Sequence, residues 1–339
     1  MIKRLAKILL LAIVGTGISL IILLTVFWAP DRSVAQLKQW QFPDSEFINI
    51  EGMQVHIRRS QKCAVDVNDQ SLSSASVASI EQVDTIVLLH GTSASLHTWE
   101  GWTKELSDDY CVVSMDLPGF GLTGPFVDKR SAYNSTDYAA FVTQVLDSLQ
   151  LQQVTLVGNS LGGKIAWRTA ALYPHYVKNL IVIDAVGYPA MPKSIPIGFR
   201  LAKYPILSPI LNHVLPRAVV RKSLISVYAD KTKVTDALVE RYYDMALRQG
   251  NRQALIERLR DFDNFENQEE IKALTIPTLI LWGAKDELIP AENAELFHRD
   301  ITNSQLKIFA NLGHVPHEED PITTVAVAKK FLVNQSPVR

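Results

Sequence analysis

One serine in this sequence lies between glycines, at the junction of a strand-like and a helix-like segment. Residues 154–167 read VTLVGNSLGGKIAW, and the spacing G-x-S-x-G is typical of a sharp strand-to-helix turn. Gly158 and Gly162 carry no side chains to crowd that turn, so Ser160 would project over the carboxyl edge of a sheet. Its hydroxyl would face the positive N-terminus of the next helix, beside the peptide N–H of Leu161. A packing turn with an incidental serine is the alternative.

A serine hydroxyl becomes a nucleophile only with a base in reach and an acid to orient that base. In the strand-turn-helix context the partners follow in the order acid, then histidine. Asp286 follows the strand-like run PTLILWGAKD, and His314 follows SQLKIFANLGH. We therefore predict Ser160, Asp286 and His314 as a catalytic triad. Asp184, at the end of another strand-like run, is the rival acid, and His317 is a weaker alternative as the base.

The run HGTSAS, after the first strand of the parallel series, is predicted to supply a second donor for a developing oxyanion. We expect the backbone N–H groups of Thr92 and Leu161 to fill this role. His90 is expected to hold the loop, and Asp116 to shape a neighbouring one. An ordinary loop at the end of a strand is the alternative.

The elements that would position these residues alternate along the chain. Six strand-like runs have helix-like segments between most of them, and the helices include residues 136–149 and 161–172. Alternation of this kind predicts a mainly parallel sheet with helices on both faces. The six runs are DTIVLLHG, YCVVSMDLPG, QVTLVGNS, KNLIVIDAVG, PTLILWGAKD and SQLKIFANLGH.

Three segments lie outside that alternation. FINIEGMQVHIRRS predicts a hairpin turning at Glu51-Gly52, and residues 61–82 are predicted to be a surface insertion. Residues 188–265 contain prolines and apolar residues at helical spacing, which predicts an inserted helical cap. We expect five parts: an anchor at 1–29, a connector at 30–46, a first core part at 47–187, the cap at 188–265 and a second core part at 266–339.

The N-terminal segment is apolar enough to span a bilayer. Residues 8–29 carry no charge, and as a helix they would reach about 33 Å. Lys3, Arg4 and Lys7 precede this run, so we predict a single-pass anchor with its N-terminus in the cytoplasm. A cleaved signal peptide ending near SVAQ, at 33–36, is the alternative. The apolar run is longer than the usual signal core of about 7–15 residues.

Composition excludes several other classes of protein. The chain has 339 residues, a net charge of −1 and no long basic run, which argues against a nucleic-acid partner. Cys63 and Cys111 form neither a disulfide framework nor a zinc pattern, and Cys111 is predicted to be a small core residue. No metal cluster, phosphate-binding loop or dinucleotide fingerprint is visible, so we expect no cofactor and no metal.

The motifs HGTSASLHTW, DLPGFGLTG, GNSLGG, LWGAKDELIP and GHVPHEEDP occur in this order, and together they resemble the α/β-hydrolase superfamily. The resemblance covers roughly residue 47 to the C-terminus. It implies an α/β fold with an eight-stranded, mostly parallel sheet and a helical cap. It also implies Ser160 as nucleophile, Asp286 as acid and His314 as base. A serine nucleophile distinguishes the chain from haloalkane dehalogenases and epoxide hydrolases, which have Asp there.

The resemblance, the apolar cap and the anchor together predict a hydrolase of acyl esters with lipid-like substrates. The chain is similar to membrane-anchored bacterial esterases and phospholipases A, which implies a cytoplasmic-membrane protein facing the periplasm. Hydrolases that cleave carbon–carbon bonds in ring-fission products also share GNSLGG, but this chain lacks their Gly-rich HGxGPG loop. A non-catalytic binding protein on the same fold is a third, less favoured possibility. The sequence makes no prediction of oligomeric state.

Overall fold

The structure, a computed structural model, describes residues 2–63, 83–127, 133–189, 191–202, 204–260 and 267–335. Most of the expected insertion at 61–82 lies outside the described residues. The expected end of the cap at 265 lies outside them too.

Eight strands form one sheet. They are β1 (Ser45–Ile50), β2 (Met53–Arg59), β3 (Thr85–Leu89), β4 (Cys111–Met115), β5 (Val154–Asn159), β6 (Val177–Ile183), β7 (Thr278–Gly283) and β8 (Ser304–Phe309). Their order across the sheet is β1-β2-β4-β3-β5-β6-β7-β8. The pairs β1–β2 and β2–β4 are antiparallel, and the other pairs are parallel. The predicted α/β fold with an eight-stranded, mostly parallel sheet is confirmed.

Helices cover both faces of this sheet. The α-helices of the described residues are α1 (Ile2–Val26), α2 (Glu100–Leu106), α3 (Ser135–Ser148), α4 (Leu161–Leu172), α5 (Ile197–Ala202), α6 (Ser208–Leu211), α7 (Arg217–Ile225), α8 (Asp236–Leu247), α9 (Asn251–Arg260), α10 (Gln268–Lys272), α11 (Glu292–Asp300), α12 (Pro316–Glu319) and α13 (Pro321–Gln335). In β3, Val87 and Leu89 belong to one buried cluster and Ile86 and Leu88 to another. Alternate side chains of a strand point to opposite faces, so both faces are buried and the strand is apolar throughout.

The interval between β6 and β7 contains helices α5 to α10 and no strand among its described residues. Several of these helices are short: α5 has six residues and α6 has four. Prolines at 196, 205, 209 and 216 account for this, since proline cannot continue the backbone hydrogen bonds of a helix. The assignment of 188–265 to a separate cap stays a prediction.

The N-terminal helix is long and apolar enough to cross a membrane. Its segment Arg4–Val26 has a mean hydropathy of 2.7 and is not buried against the rest of the chain. A signal sequence passes the same test of length and composition. The helix ends at Val26, three residues before the predicted end of the span. Ala29 instead donates its N–H to the carbonyl of His213 (2.8 Å) and is buried.

Cys63 and Cys111 are joined by a disulfide, with their Cα atoms 4.5 Å apart. Cys111 is buried in β4 as expected, but its interpretation as an unpaired small core residue is wrong. Ser60 brings the two together because its N–H donates to the Val112 carbonyl (2.9 Å) and its Oγ accepts from the Val112 N–H (3.0 Å). The short turn after β2 is thereby held beside β4.

Candidate active site

Ser160 occupies the corner between β5 and α4. Its backbone has φ 54° and ψ −112°, a left-handed conformation that is strained for a residue with a side chain. Hydrogen bonds on both sides hold this strain: its N–H donates to the Ile183 carbonyl (2.9 Å), and its own carbonyl accepts from Lys164 and Val186. The sharp turn predicted from G-x-S-x-G is therefore present.

The motif requires glycines because backbone segments approach each other closely at these positions. A Cβ atom on Gly158 would lie 2.1 Å from the Gly162 carbonyl oxygen. A Cβ on Gly162 would lie 2.1 Å from the carbonyl oxygen of Leu89, at the end of β3. Any side chain at these positions would push α4 away from the sheet and displace the Ser160 hydroxyl.

His314 and Asp286 form a buried pair at the same edge of the sheet. His314 Nδ1 lies 2.6 Å from Asp286 Oδ2. The other carboxylate oxygen of Asp286 accepts the N–H groups of Leu288 (2.8 Å) and Ile289 (2.9 Å). Because Nδ1 of His314 is hydrogen-bonded to Asp286, Nε2 is the nitrogen of His314 that can accept a proton.

Ser160 and His314 line one cavity, so the structure brings the three predicted triad residues to a single place. Between the described Ser160 and His314 side chains no hydrogen bond is recorded. Catalytic hydrogen bonds are often long in ligand-free enzymes and shorten when substrate binds. The roles of the three residues stay a prediction, which this geometry allows.

Asp184, the rival acid, lies next to this pair. It follows β6 with a φ of 45°, and its Oδ1 accepts the Gly283 N–H at 3.0 Å. One ligand atom from each of Asp184, Asp286 and His314 lies within 4.8 Å of the others. Burial, and then the charge of Asp286, raise the pKa of Asp184 well above its ordinary value. Both effects favour a protonated, neutral Asp184, which would be a poor partner for an imidazolium.

Two other histidines have structural contacts instead of a place in the cavity wall. His317 is fully buried with its ring centroid 4.1 Å from that of Trp99, and burial lowers its pKa to about 3. His90 accepts the Leu117 N–H at Nε2 (3.0 Å), and its Nδ1 lies 2.7 Å from the Gly91 carbonyl. His90 thus holds the loop that follows β3, as expected.

Both predicted oxyanion donors lie at the site. Thr92 lines the cavity, and Leu161 is the first residue of α4, so its N–H has no acceptor within the helix. Asp116 fastens the loop that carries Thr92, since its Oδ1 accepts the Leu96 N–H at 2.7 Å. Burial opposes the ionised form of Asp116, but its bond to His56 (2.7 Å) and the nearby His90 and His97 together lower the pKa to about 2.

The cavity measures about 170 Å³ and is mostly apolar. Among its described lining residues there is no Lys, Arg, Asp or Glu. The polar groups belong to Ser160, His314, Tyr242 and a few small or amide side chains. The apolar wall consists mainly of Phe199, Leu215, Val219, Val220, Leu224, Val227, Leu255, Leu288 and Val315.

Sequence reasoning missed two residues that position His314. Asn159 donates its side-chain N–H to the His314 carbonyl (3.0 Å), and Glu319 accepts the Gly313 N–H (3.1 Å). Glu319 also accepts the Asp230 N–H (2.9 Å), which ties the catalytic loop to the helical interval. Both residues stand inside motifs already noted, GNSLGG and GHVPHEEDP, and membership of these motifs was the available signal.

Comparison with known proteins gives the following relatives. Residues 84–321 match the family model for the α/β-hydrolase fold. A 2-hydroxy-6-oxo-2,4-heptadienoate hydrolase of Pseudomonas putida is 30% identical over 256 residues, which cover 73% of this chain and 88% of that protein. A meta-cleavage product hydrolase from Pseudomonas fluorescens has a TM-score of 0.69 at 20% identity, over 86% of this chain and 98% of the other. A membrane phospholipase A has a TM-score of 0.68 at 22% identity, over 99% of each chain. The two structural matches show the fold alone.

Proposed function

Because the chain belongs to the α/β-hydrolase family, we propose that it is a membrane-anchored serine hydrolase that cleaves carboxylic esters of apolar, lipid-like acyl groups. The observation that carries the proposal is the apolar cavity, free of charged side chains among its described residues, around Ser160 and His314.

In the proposed mechanism, Ser160 Oγ attacks the ester carbonyl while His314 Nε2 accepts its proton. Asp286, hydrogen-bonded at Nδ1, stabilises the imidazolium that forms. The N–H groups of Thr92 and Leu161 donate to the tetrahedral oxyanion. The intermediate then expels the alcohol, which takes the proton from His314. The acyl group stays on Ser160, and a water activated by His314 releases it as a carboxylic acid.

The chemistry of the cavity supports a neutral acyl group. A buried carboxylate needs a cation or several hydrogen-bond donors, because burying an unpaired charge is costly. Arg241, next to the cavity-lining Tyr242, is already paired with the buried carboxylate of Glu318. An apolar cavity of about 150 Å³ holds a benzene-sized molecule, so the space seen here suits about six carbon atoms without cap movement.

Carbon–carbon bond hydrolysis is the second candidate, and the Pseudomonas putida relative favours it. That protein's substrate, a 2-hydroxy-6-oxo-dienoate, carries a carboxylate. The uncharged cavity wall counts against such a substrate here. The ester proposal is therefore preferred.

Two features support a periplasmic location for the proposed hydrolase. Lys3, Arg4 and Lys7 lie in the first turns of α1, ahead of its uncharged run, and basic residues favour the cytoplasmic side of a membrane. The disulfide between Cys63 and Cys111 suits an oxidising compartment such as the periplasm.

Acyl-chain profiling of the detergent-solubilised protein tests this function. We expect hydrolysis of p-nitrophenyl esters from acetate to palmitate to peak near about six acyl carbons, as the cavity volume implies. Ser160→Ala should lower turnover on the order of 10⁴–10⁶-fold with the fold intact. Ser226→Ala, a cap serine outside the described cavity wall, is the matched control.

Three outcomes would contradict the proposal. Near-normal turnover by correctly folded Ser160→Ala would reject the nucleophile. Cleavage of a 2-hydroxy-6-oxo-dienoate without ester hydrolysis would favour the second candidate. Binding of esters without turnover by the unmodified chain would indicate a non-catalytic protein.

A further inference from the structure

The segment that follows α1 is fastened to the helical interval between β6 and β7. A connector of this length could reach about 50 Å if extended, but residues 34–40 form a 3₁₀-helix instead. Asp244 of α8, fully buried, accepts from the side chains of Arg32 (2.6 Å), Gln39 (3.0 Å) and Trp40 (2.9 Å). Such a buried, multiply bonded carboxylate holds the connector in one place.

A second set of contacts lies at the end of α1. The Leu215 N–H donates to the Phe27 carbonyl (3.1 Å), and the Trp28 ring stacks on His213 with centroids 4.9 Å apart. Asp31 pairs with Arg252 of α9 (2.6 Å). The apolar helix therefore leaves the folded domain from a fixed point on the helical interval.

That point adjoins the wall of the cavity. Leu215, bonded to Phe27, itself lines the cavity. Pro196, Gly198 and Phe199, at α5, line it as well. The cavity wall and the exit of the apolar helix thus belong to the same part of the molecule.

Large apolar side chains are exposed on both sides of α5. Met191 is 89% exposed, Tyr204 61% and Ile206 86%. Ile206 precedes His213 by seven residues, within a run of short helical turns, so it lies about 10 Å along the chain from the Trp28 contact. We call these three exposed residues, which flank α5 in the sequence, the apolar face.

The sequence around the apolar face is basic. Residues 191–222 contain six Lys or Arg residues and no Asp or Glu, and two of the six, Arg217 and Arg221, pair with Glu240 and Asp236 of α8. A surface with exposed apolar side chains, basic neighbours and an adjacent membrane helix matches the chemistry of an anionic bilayer surface.

We propose that the apolar face inserts into the lipid headgroup region, so that the bilayer itself is the docking partner and acyl chains enter the cavity from the membrane beside α5. This inference rests on the proposed function and names the source of its substrate. The fastened connector sets the orientation, because the membrane helix and the cavity wall cannot rotate independently.

Site-specific fluorescence of the full chain tests the docking. The only two cysteines of the sequence form a disulfide, so Met191→Cys and Ile206→Cys can each be labelled with an environment-sensitive dye. In vesicles of phosphatidylethanolamine and phosphatidylglycerol, spin-labelled lipids should quench both dyes. The controls are Ile322→Cys and Val333→Cys on α13, which are 69% and 65% exposed in the wild type. All four are made in a Ser160→Ala background so that the vesicles stay intact.

A second experiment measures the hydrolysis rates of a double variant, Met191→Asp with Ile206→Asp. Withdrawing one apolar side chain from lipid corresponds to about tenfold in a binding equilibrium, so hydrolysis of vesicle phospholipid should fall at least about tenfold. Turnover of a short soluble ester in the same vesicles should not change. Ile322→Asp with Val333→Asp should leave both activities unchanged.

The outcomes separate the two proposals. Dyes at 191 and 206 that remain as water-exposed as those at 322 and 333 would overturn the docking. Equal loss of both activities in the Asp variants would also overturn it. A wild-type chain that hydrolyses neither ester would refute the proposed function, while the fluorescence result would still report on docking.

Discussion

At the scale of single residues, two neighbouring carboxyl groups differ in their hydrogen-bond partners. Asp286 accepts two backbone N–H groups and the imidazole of His314, whereas Asp184 accepts one backbone N–H and is fully buried. Like charges at this separation disfavour double ionisation. The structure therefore favours Asp286 as the charged member and Asp184 as a protonated neighbour.

Asn substitutions distinguish these two roles. Asp286→Asn should lower kcat on the order of 10⁴-fold, because His314 would lose the partner that sets its tautomer and stabilises its charge. Asp184→Asn should keep most activity, since an amide resembles a protonated carboxyl group in size and in its ability to donate. Ester hydrolysis at saturating substrate measures both. An inactive Asp184 variant beside an active Asp286 variant would reverse the assignment.

The pH dependence of stability provides an independent check on Asp184. Its pKa is raised in the folded chain, so above about pH 4 the native state keeps a proton that the unfolded chain has released. The free energy of unfolding should then fall as pH rises toward the folded pKa, and Asp184→Asn should lack this contribution. Urea unfolding of both proteins at several pH values measures the difference. Curves that run parallel would show that Asp184 is ionised in the native state.

At the scale of elements, the disulfide is the one covalent link between β4 and the turn after β2 within the described residues. It joins residues 48 positions apart. In the chain-entropy account, closing a loop of this size restricts the unfolded chain more than the native one. The link therefore stabilises the antiparallel edge of the sheet, and β3 separates β4 from β5, the strand before Ser160.

Replacing both cysteines should destabilise the fold without abolishing activity. Cys63→Ser with Cys111→Ser is expected to lower the free energy of unfolding by about 2–4 kcal/mol. Denaturant unfolding with and without a thiol reductant measures this change. Reductant should shift the wild type toward the variant and leave the variant unaffected. A wild type insensitive to reductant, under conditions that reduce the bond, would contradict the prediction.

At the scale of the whole molecule, we propose that the apolar helix and the fastened connector set where the folded domain lies relative to a membrane. The basic residues in the first turns of α1 predict that everything after this helix is periplasmic. A phosphatase reporter that folds only in the periplasm, fused after Arg339, should be active. A fluorescent protein that matures only in the cytoplasm should be dark at the same position. As a matched variant, Lys3→Glu, Arg4→Glu and Lys7→Glu together should weaken the preference for a cytoplasmic N-terminus. An active cytoplasmic reporter on the wild type would show the inverted topology.

Local patterns were enough to predict much of the fold and the location of the candidate site. Buried parallel strands read as continuous apolar runs, and all six predicted runs became strands β3 to β8. The hairpin turn was also readable, because Glu51 and Gly52 both have positive φ and such turns have a restricted composition. Ser160, Asp286 and His314 could be named because each lies within five residues after the end of a strand, and the carboxyl ends of parallel strands meet at one edge.

Long-range contacts were decided only by the tertiary structure. Three long-range contacts correspond to no periodic pattern in the sequence. They are the pairing of Cys63 with Cys111, the bond from Arg32 to Asp244 across 212 residues, and the proximity of Asp184 to Asp286. Each depends on how separate elements pack, and burial then sets the charge of a carboxyl group or the path of a connector. Sequence spacing predicts which face of its own helix or strand a residue occupies. The residues that it contacts on other elements are determined by the packing of the whole chain.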